Sequence, residues 1–270
     1  MPSGKRARQS RRAAVPTPPP VRGSRAPRQA SPRVLAIVGG IIAAIIVAVV
    51  LVVVFTGGKG GTSLSSIPTR GSLVNGLPGA ADVHKELSGI RQNGLFLGSA
   101  DAPVRMVEYV DLQCPYCQEF ETQVMPTIVA RYVRTGKLLV EARVLDFIGP
   151  DSTRGRNAMF AAGFQNHAFD FAQLLYDNQQ TENTGWLNDA MVRRAAESIP
   201  GLNPRRVVRE STTPAAKNIG TRIDLQAKAS GVVQTPTILV GKVPTVPKEV
   251  NMSSPTDLAA LTAAINRALG

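Results

Sequence analysis

The chain opens polar, turns abruptly apolar, and then settles into short alternations. Residues 34–55 are 22 consecutive positions without a charged or hydrogen-bonding side chain. At 1.5 Å per residue a helix of that length spans about 33 Å, enough for the hydrocarbon core of a bilayer. A buried helix of a soluble protein is rarely apolar on every face over such a length. A cleaved signal peptide is the rival reading. Its apolar stretch is ~7–15 residues and ends at a small-residue cleavage site, which Phe55-Thr56-Gly57-Gly58-Lys59 does not offer. No cysteine follows for lipid attachment. The run predicts one uncleaved transmembrane helix at 34–55.

Past this run the periods shorten. Residues 56–92 begin as Gly, Ser, Thr and Pro with scattered Leu, which predicts a flexible tether with a possible short helix near 82–90. Asn93-Gly94 reads as a turn into a short strand at 95–97. Val104–Val110 reads as a strand, and residues 118–132 as a helix with Phe120, Val124 and Ile128 four apart on one face. That helix is expected to run on past Pro126 with a kink and to stop at Thr135-Gly136-Lys137. Residues 138–145 form the next strand. From about 152 to 230 the pattern is helical: 157–176, then 187–199, then a helix opened by Asn203-Pro204, then 214–230 stopped by Gly231. Residues 236–240 read as a strand, Gly241-Lys242 as a turn and 243–246 as an edge strand. Ser254-Pro255-Thr256-Asp257 starts a last helix with Leu258, Leu261, Ile265 and Leu269 on one stripe. The order is β-α-β, helices, β-β-α. It predicts an α/β domain over 93–270 with a helical insertion at about 152–230.

Charge changes the picture at one end. Of the 31 Lys and Arg, nine lie in residues 1–33, where there is no Asp or Glu. The remaining 22 face 19 acidic residues, so most of the net charge of +12 belongs to this tail. Rich in Arg, Pro, Ser and Ala, the tail cannot bury enough apolar surface to order itself. An arm for nucleic acid is one reading of such a tail. The apolar run that follows supports another. Nine positive charges on one flank, against Lys59 and Arg70 on the other, orient the N-terminus inside. Residues 1–33 are thus expected as a disordered basic cytoplasmic tail, with no nucleic-acid partner. The expected location is the cell membrane, single-pass, with the domain outside the cytoplasm, where disulfides persist.

The candidate chemistry is concentrated at Cys114-Pro115-Tyr116-Cys117, which holds both cysteines of the chain. The pair sits where a strand hands over to a helix. Unpaired N–H groups and the helix dipole there stabilise a thiolate, and Cys114, at the very start, has the best access. A zinc site would need two further ligands, and His84 and His167 follow no ligand spacing. The spacing reads as a redox dithiol without metal or cofactor.

From Glu108 through Cys114-Pro115-Tyr116-Cys117 to Phe120, the run resembles the active-site region of the DsbA-like thioredoxin-fold thiol-disulfide oxidoreductases. Thr235-Pro236-Thr237 resembles the cis-proline segment of the same family. The likeness covers about residues 93–270. It implies a thioredoxin fold in which Cys114 is the nucleophile and Cys117 the resolving thiol. Pro115 and Tyr116 then tune the potential and, with Thr235, contact substrate. Pro-Tyr lacks the imidazole that helps the most oxidising members hold their thiolate. The resemblance assigns Glu108, six residues before Cys114, to proton relay for Cys117. Residues 106, 108 and 110 share a strand face and two of them are apolar, so Glu108 is expected to be buried. Glu119 and Glu121 are expected as solvated helix positions. Pro236 is expected to be cis beside the dithiol, with the backbone of Thr235 open to an extended substrate. Relatives often carry Gly before the Thr-Pro, where this chain has Gln234.

The activity implied is an extracytoplasmic oxidoreductase that introduces disulfides into reduced secreted or envelope proteins and is reoxidised by a membrane partner. A disulfide reductase or isomerase would use the same atoms. A non-enzymatic thioredoxin-like metal- or protein-binding module is the alternative of a different class, and it calls for a third soft ligand near Cys114 that the sequence does not supply.

Overall fold

The structure, a computed structural model, describes residues 64–270; the basic tail 1–33, the apolar run 34–55 and residues 56–63 lie outside the described residues. Among the described residues no helix is long and apolar enough to cross a membrane.

Six strands form one sheet in the order β1-β2-β4-β3-β5-β6. They are β1 (Gln92–Asn93), β2 (Phe96–Leu97), β3 (Val104–Val110), β4 (Leu138–Val144), β5 (Thr237–Lys242) and β6 (Lys248–Glu249). β3 lies at the centre, parallel to β4 and antiparallel to β5. A central strand is covered on both faces, and every residue of β3 except Arg105 is buried. The β1–β2 hairpin turns through Gly94, whose φ of 61° suits glycine, and lays β2 antiparallel on β4.

The helices are α1 (Ala80–Leu87), α2 (Pro115–Gln123), α3 (Met125–Ile128), α4 (Pro150–Gly163), α5 (Ala168–Asp177), α6 (Asp189–Glu197), α7 (Pro204–Glu210), α8 (Pro214–Ala229) and α9 (Leu258–Leu269). α9 packs on β5 and β3, α8 on β4, and α5 on both α2 and α4. The helical block between β4 and β5 is the expected insertion, and it starts at Pro150. Asn188, Asn203 and Asp257 cap α6, α7 and α9 through their side chains.

Four expectations are corrected. The helix after the cysteines breaks at Val124 instead of bending past Pro126. α3 restarts there and ends in a π-helical stretch, Val129–Val133. Pro126 brings no N–H and its ring crowds the preceding turn. The helix expected over 157–176 is two helices, α4 and α5, separated at Asn166, whose φ is 63°. The edge strand is Lys248–Glu249, and 243–246 is a turn, because Pro244 and Pro247 offer no donor to a ladder. Lastly, residues 64–92 are not a free tether. Ile67 is buried, Gly71 bridges Pro200, and Arg205 donates to the carbonyls of Ile67 and Ser65. α1 buries Ala80, Val83 and Leu87.

Candidate active site

β3 delivers the chain to Asp111-Leu112-Gln113, and α2 starts at Pro115, so Cys114 is the N-cap residue with extended backbone. Proline suits the first helical turn, where its missing N–H is no loss. The two cysteines are unbonded thiols. Cys114 Sγ lies 3.5 Å from the carbonyl oxygen of Thr235, and the Asp111 N–H donates to Cys117 Sγ at 3.4 Å. Cys114 is less open than its place at the helix start suggested: it is 5 % exposed, against 0 % for Cys117.

The two sulfurs are electrostatically unlike. The Cys117 thiol donates to Cys114, and with the Thr235 side chain and the N–H groups of Cys117 and Tyr116 it brings the Cys114 thiol down to about 6 although burial opposes this. Burial pushes Cys117 well above the usual thiol range, and Cys114 adds to the effect. One thiol is thus an anion near neutrality and the other holds its proton.

The Thr235–Pro236 bond is cis. Thr235 and Pro236 line a cleft of about 210 Å³ with Tyr116, Gln234, Met252 and Pro255. Tyr116 is 58 % exposed at its rim. The structure therefore brings Cys114, Tyr116, Thr235 and Pro236 together; Pro115 is exposed but is not part of the cleft wall.

Glu108 is buried in β3, and burial raises its carboxyl to about 8. Its Oε2 has no hydrogen-bond partner among the described residues. Glu121, expected in solvent, is also buried and is pushed well above the carboxylate range, first by burial and then by Glu108 and Glu86. Glu119 is half-buried. The signal for Glu121 was present in the sequence: it follows Cys117 by four residues and so shares its helix face. Glu108, Glu121, Tyr176 and the half-buried Glu86 line one cavity of about 20 Å³, room for a single water. Tyr176, a wall of this cavity, also lies in the field of Cys117. Among the described residues no group of three or more His, Cys, Asp or Glu side chains is placed to hold a metal ion.

A family model described as thioredoxin matches residues 91–266. The chain belongs to the thioredoxin family. A curated relative from Bacillus cereus, "Probable disulfide bond formation protein D", is 31 % identical over 110 residues, 40 % of this chain and 51 % of that protein. This chain thus spans about half the length of that relative. Among solved structures, oxidised BdbD from Bacillus subtilis is similar with a TM-score of 0.58 and 20 % identity, covering 66 % of this chain and 96 % of that one. The α-DsbA1 of Wolbachia pipientis is similar with a TM-score of 0.56 and 22 % identity, covering 68 % and 92 %. At these identities the two structures speak to the fold, which is the thioredoxin fold with a helical insertion.

Proposed function

We propose that this chain is a membrane-tethered, extracytoplasmic thiol-disulfide oxidoreductase that introduces disulfides into secreted or envelope proteins. The observation that carries the reading is the split between the two sulfurs: an anionic thiol at the helix start, beside an open cleft, over a resolving thiol that keeps its proton. In the oxidised form a substrate thiolate attacks Cys114 Sγ, and the electron pair of the broken bond leaves on Cys117. A second substrate thiolate then attacks the substrate sulfur of the mixed disulfide, and Cys114 leaves as a thiolate. Stabilising that leaving thiolate favours the reduced enzyme and so makes its disulfide the better oxidant. The names of the Bacillus relatives, disulfide bond formation protein D, agree in kind.

Glu108 and Glu121 take up and return the Cys117 proton, and Tyr116, Thr235 and Pro236 receive an extended substrate segment. The apolar run at 34–55 and the basic tail before it support the membrane tether, and a membrane partner reoxidises the dithiol. The test is to mix the oxidised domain with a reduced, unfolded protein and titrate the 114–117 pair against glutathione. A potential well above that of thioredoxin, about −270 mV, with net oxidation of the substrate, is the expected result. A potential at the thioredoxin end would make the protein a reductase. In intact cells, protease added outside should cut the domain; full protection would remove the extracytoplasmic assignment.

A further inference from the structure

Every polar atom of Asp111 is engaged. Its carboxylate Oδ1 accepts from the Gln113 N–H at 2.9 Å and the Ser152 hydroxyl at 2.7 Å, and Oδ2 accepts from the Ile148 N–H at 3.1 Å. Its carbonyl accepts from the Cys114 N–H at 3.0 Å and the Tyr176 hydroxyl at 3.3 Å. Its own N–H is left for Cys117 Sγ. Gln113 extends the lattice, donating to Ser152 Oγ and accepting from the Asn183 N–H. Asp111, Gln113 and Ser152 are all buried. Ser152 and Tyr176 belong to the helical insertion, and Ile148 to the loop leading into it.

We propose that Asp111 is a positioning residue for the resolving step. Its buried carboxylate is gripped by the insertion so that its backbone N–H is held on the Cys117 sulfur, where it stabilises the thiolate that closes the disulfide. The inference rests on the dithiol-exchange reading. A backbone donor fixed in this way needs no rearrangement when charge appears on the sulfur. The direction of the effect distinguishes positioning from charge. A nearby carboxylate repels a thiolate, so by charge alone removing it would favour ionisation of Cys117. By position, removing it costs Cys117 a fixed donor. The titratable groups packed around Cys117 and its Tyr176 neighbour are Cys114, Asp111, Glu108 and Glu121, with Glu86 beyond Glu121.

The test follows reduced full-length protein with glutathione disulfide, quenched at intervals and weighed by mass spectrometry. In the first step the Cys114 thiolate forms a mixed disulfide and releases one glutathione thiolate. In the second, Cys117 loses its proton and attacks Cys114 Sγ, the Cys114–Cys117 bond forms, and the second glutathione leaves and is protonated. In Asp111→Asn the second step should slow about tenfold at pH values where Cys117 is mainly protonated, since a hydrogen bond to an ionised group is worth that much. The first step should slow less than the second, because Asp111 reaches Cys114 only through its backbone carbonyl. Ser152→Ala keeps the charge and removes one donor, and should slow the second step by a smaller factor, about threefold. It decides the matter alone if Asp111→Asn does not fold. A second step that is unchanged or faster in the variants that fold, or both steps slowed equally, overturns the proposal. Wild-type protein that is oxidised by glutathione disulfide yet does not oxidise a reduced protein sinks the functional reading alone.

Discussion

At the scale of single residues, Cys114 shows hydrogen bonding winning over burial. Donors converge on its sulfur, and they outweigh the loss of water. Alkylation of the reduced protein against pH should show a midpoint near 6 at Cys114, while Cys117 stays unlabelled through neutrality. Peptide mapping checks this; preferential labelling of Cys117 would reverse the two roles. Glu108 is the opposite case, where nothing offsets desolvation. Its carboxyl is raised from an ordinary value near 4.5 to about 8, so between those values the folded protein binds more protons than the unfolded chain. Stability therefore falls as pH rises through that window. Glu108→Gln keeps the volume and removes the charge. It should raise stability at pH 8 by an amount on the order of a few kcal/mol, leave it nearly unchanged at pH 5, and slow disulfide turnover. Chemical melts at both pH values read the first effect. Equal stability at pH 8 with an equal rate would mean that Glu108 neither carries a buried charge nor moves a proton.

Among elements, the segment before α1 shows how small residues permit a contact that periodicity cannot announce. Gly71 donates to the Leu202 carbonyl and lies against the end of α6. A Cβ there would stand 2.2 Å from the Ile199 oxygen and 2.7 Å from the Ala196 oxygen, both backbone atoms. Gly71→Ala should peel residues 64–76 from the insertion and free the buried Ile67. The expected loss is about 2 kcal/mol or more, with new proteolytic cuts in that segment. A variant as stable and as protected as the wild type would show the contact to be dispensable. The insertion is also where Arg156 is hidden, 9 % exposed at its side chain, between Asp146 at 2.8 Å and Asp224 at 2.7 Å. This ties the loop after β4 to α8. Nothing in the spacing of these three residues, 146, 156 and 224, signals the pairing, because it is made across the fold.

For the whole molecule, the boundary of the domain is a question of what is buried. The pattern of turns and strands suggests a start near residue 93. The core includes Ile67, Leu77, Val83 and Leu87 from before that point. Fully burying such side chains stabilises a protein by roughly 1.5–3 kcal/mol each, and their sum rivals the net stability of a typical domain. A truncated chain of residues 64–270 should fold and exchange disulfides without the apolar run or basic tail. One of residues 93–270 should be poorly soluble or unfold at much lower urea. Equal urea midpoints for the two would show that α1 and the residues before it only decorate the surface.

The sequence by itself determined what short-range rules control. The central strand, the proline at the start of the active-site helix, the capped helices and the spacing of the two cysteines all depend on residues within a few positions of one another. The break at Val124 and the turn at 243–246 depart from the local pattern because a proline's effect depends on whether the neighbouring backbone groups find other partners. Tertiary structure decided the rest. It buried Glu121 against Glu108, set Thr235 beside Cys114 across a separation of 121 residues, and closed the insertion over Asp111. It also gave the two thiols their different proton affinities. Desolvation and hydrogen bonding act through distances in space, and residues far apart in the chain supply them only once the sheet and the insertion have come together.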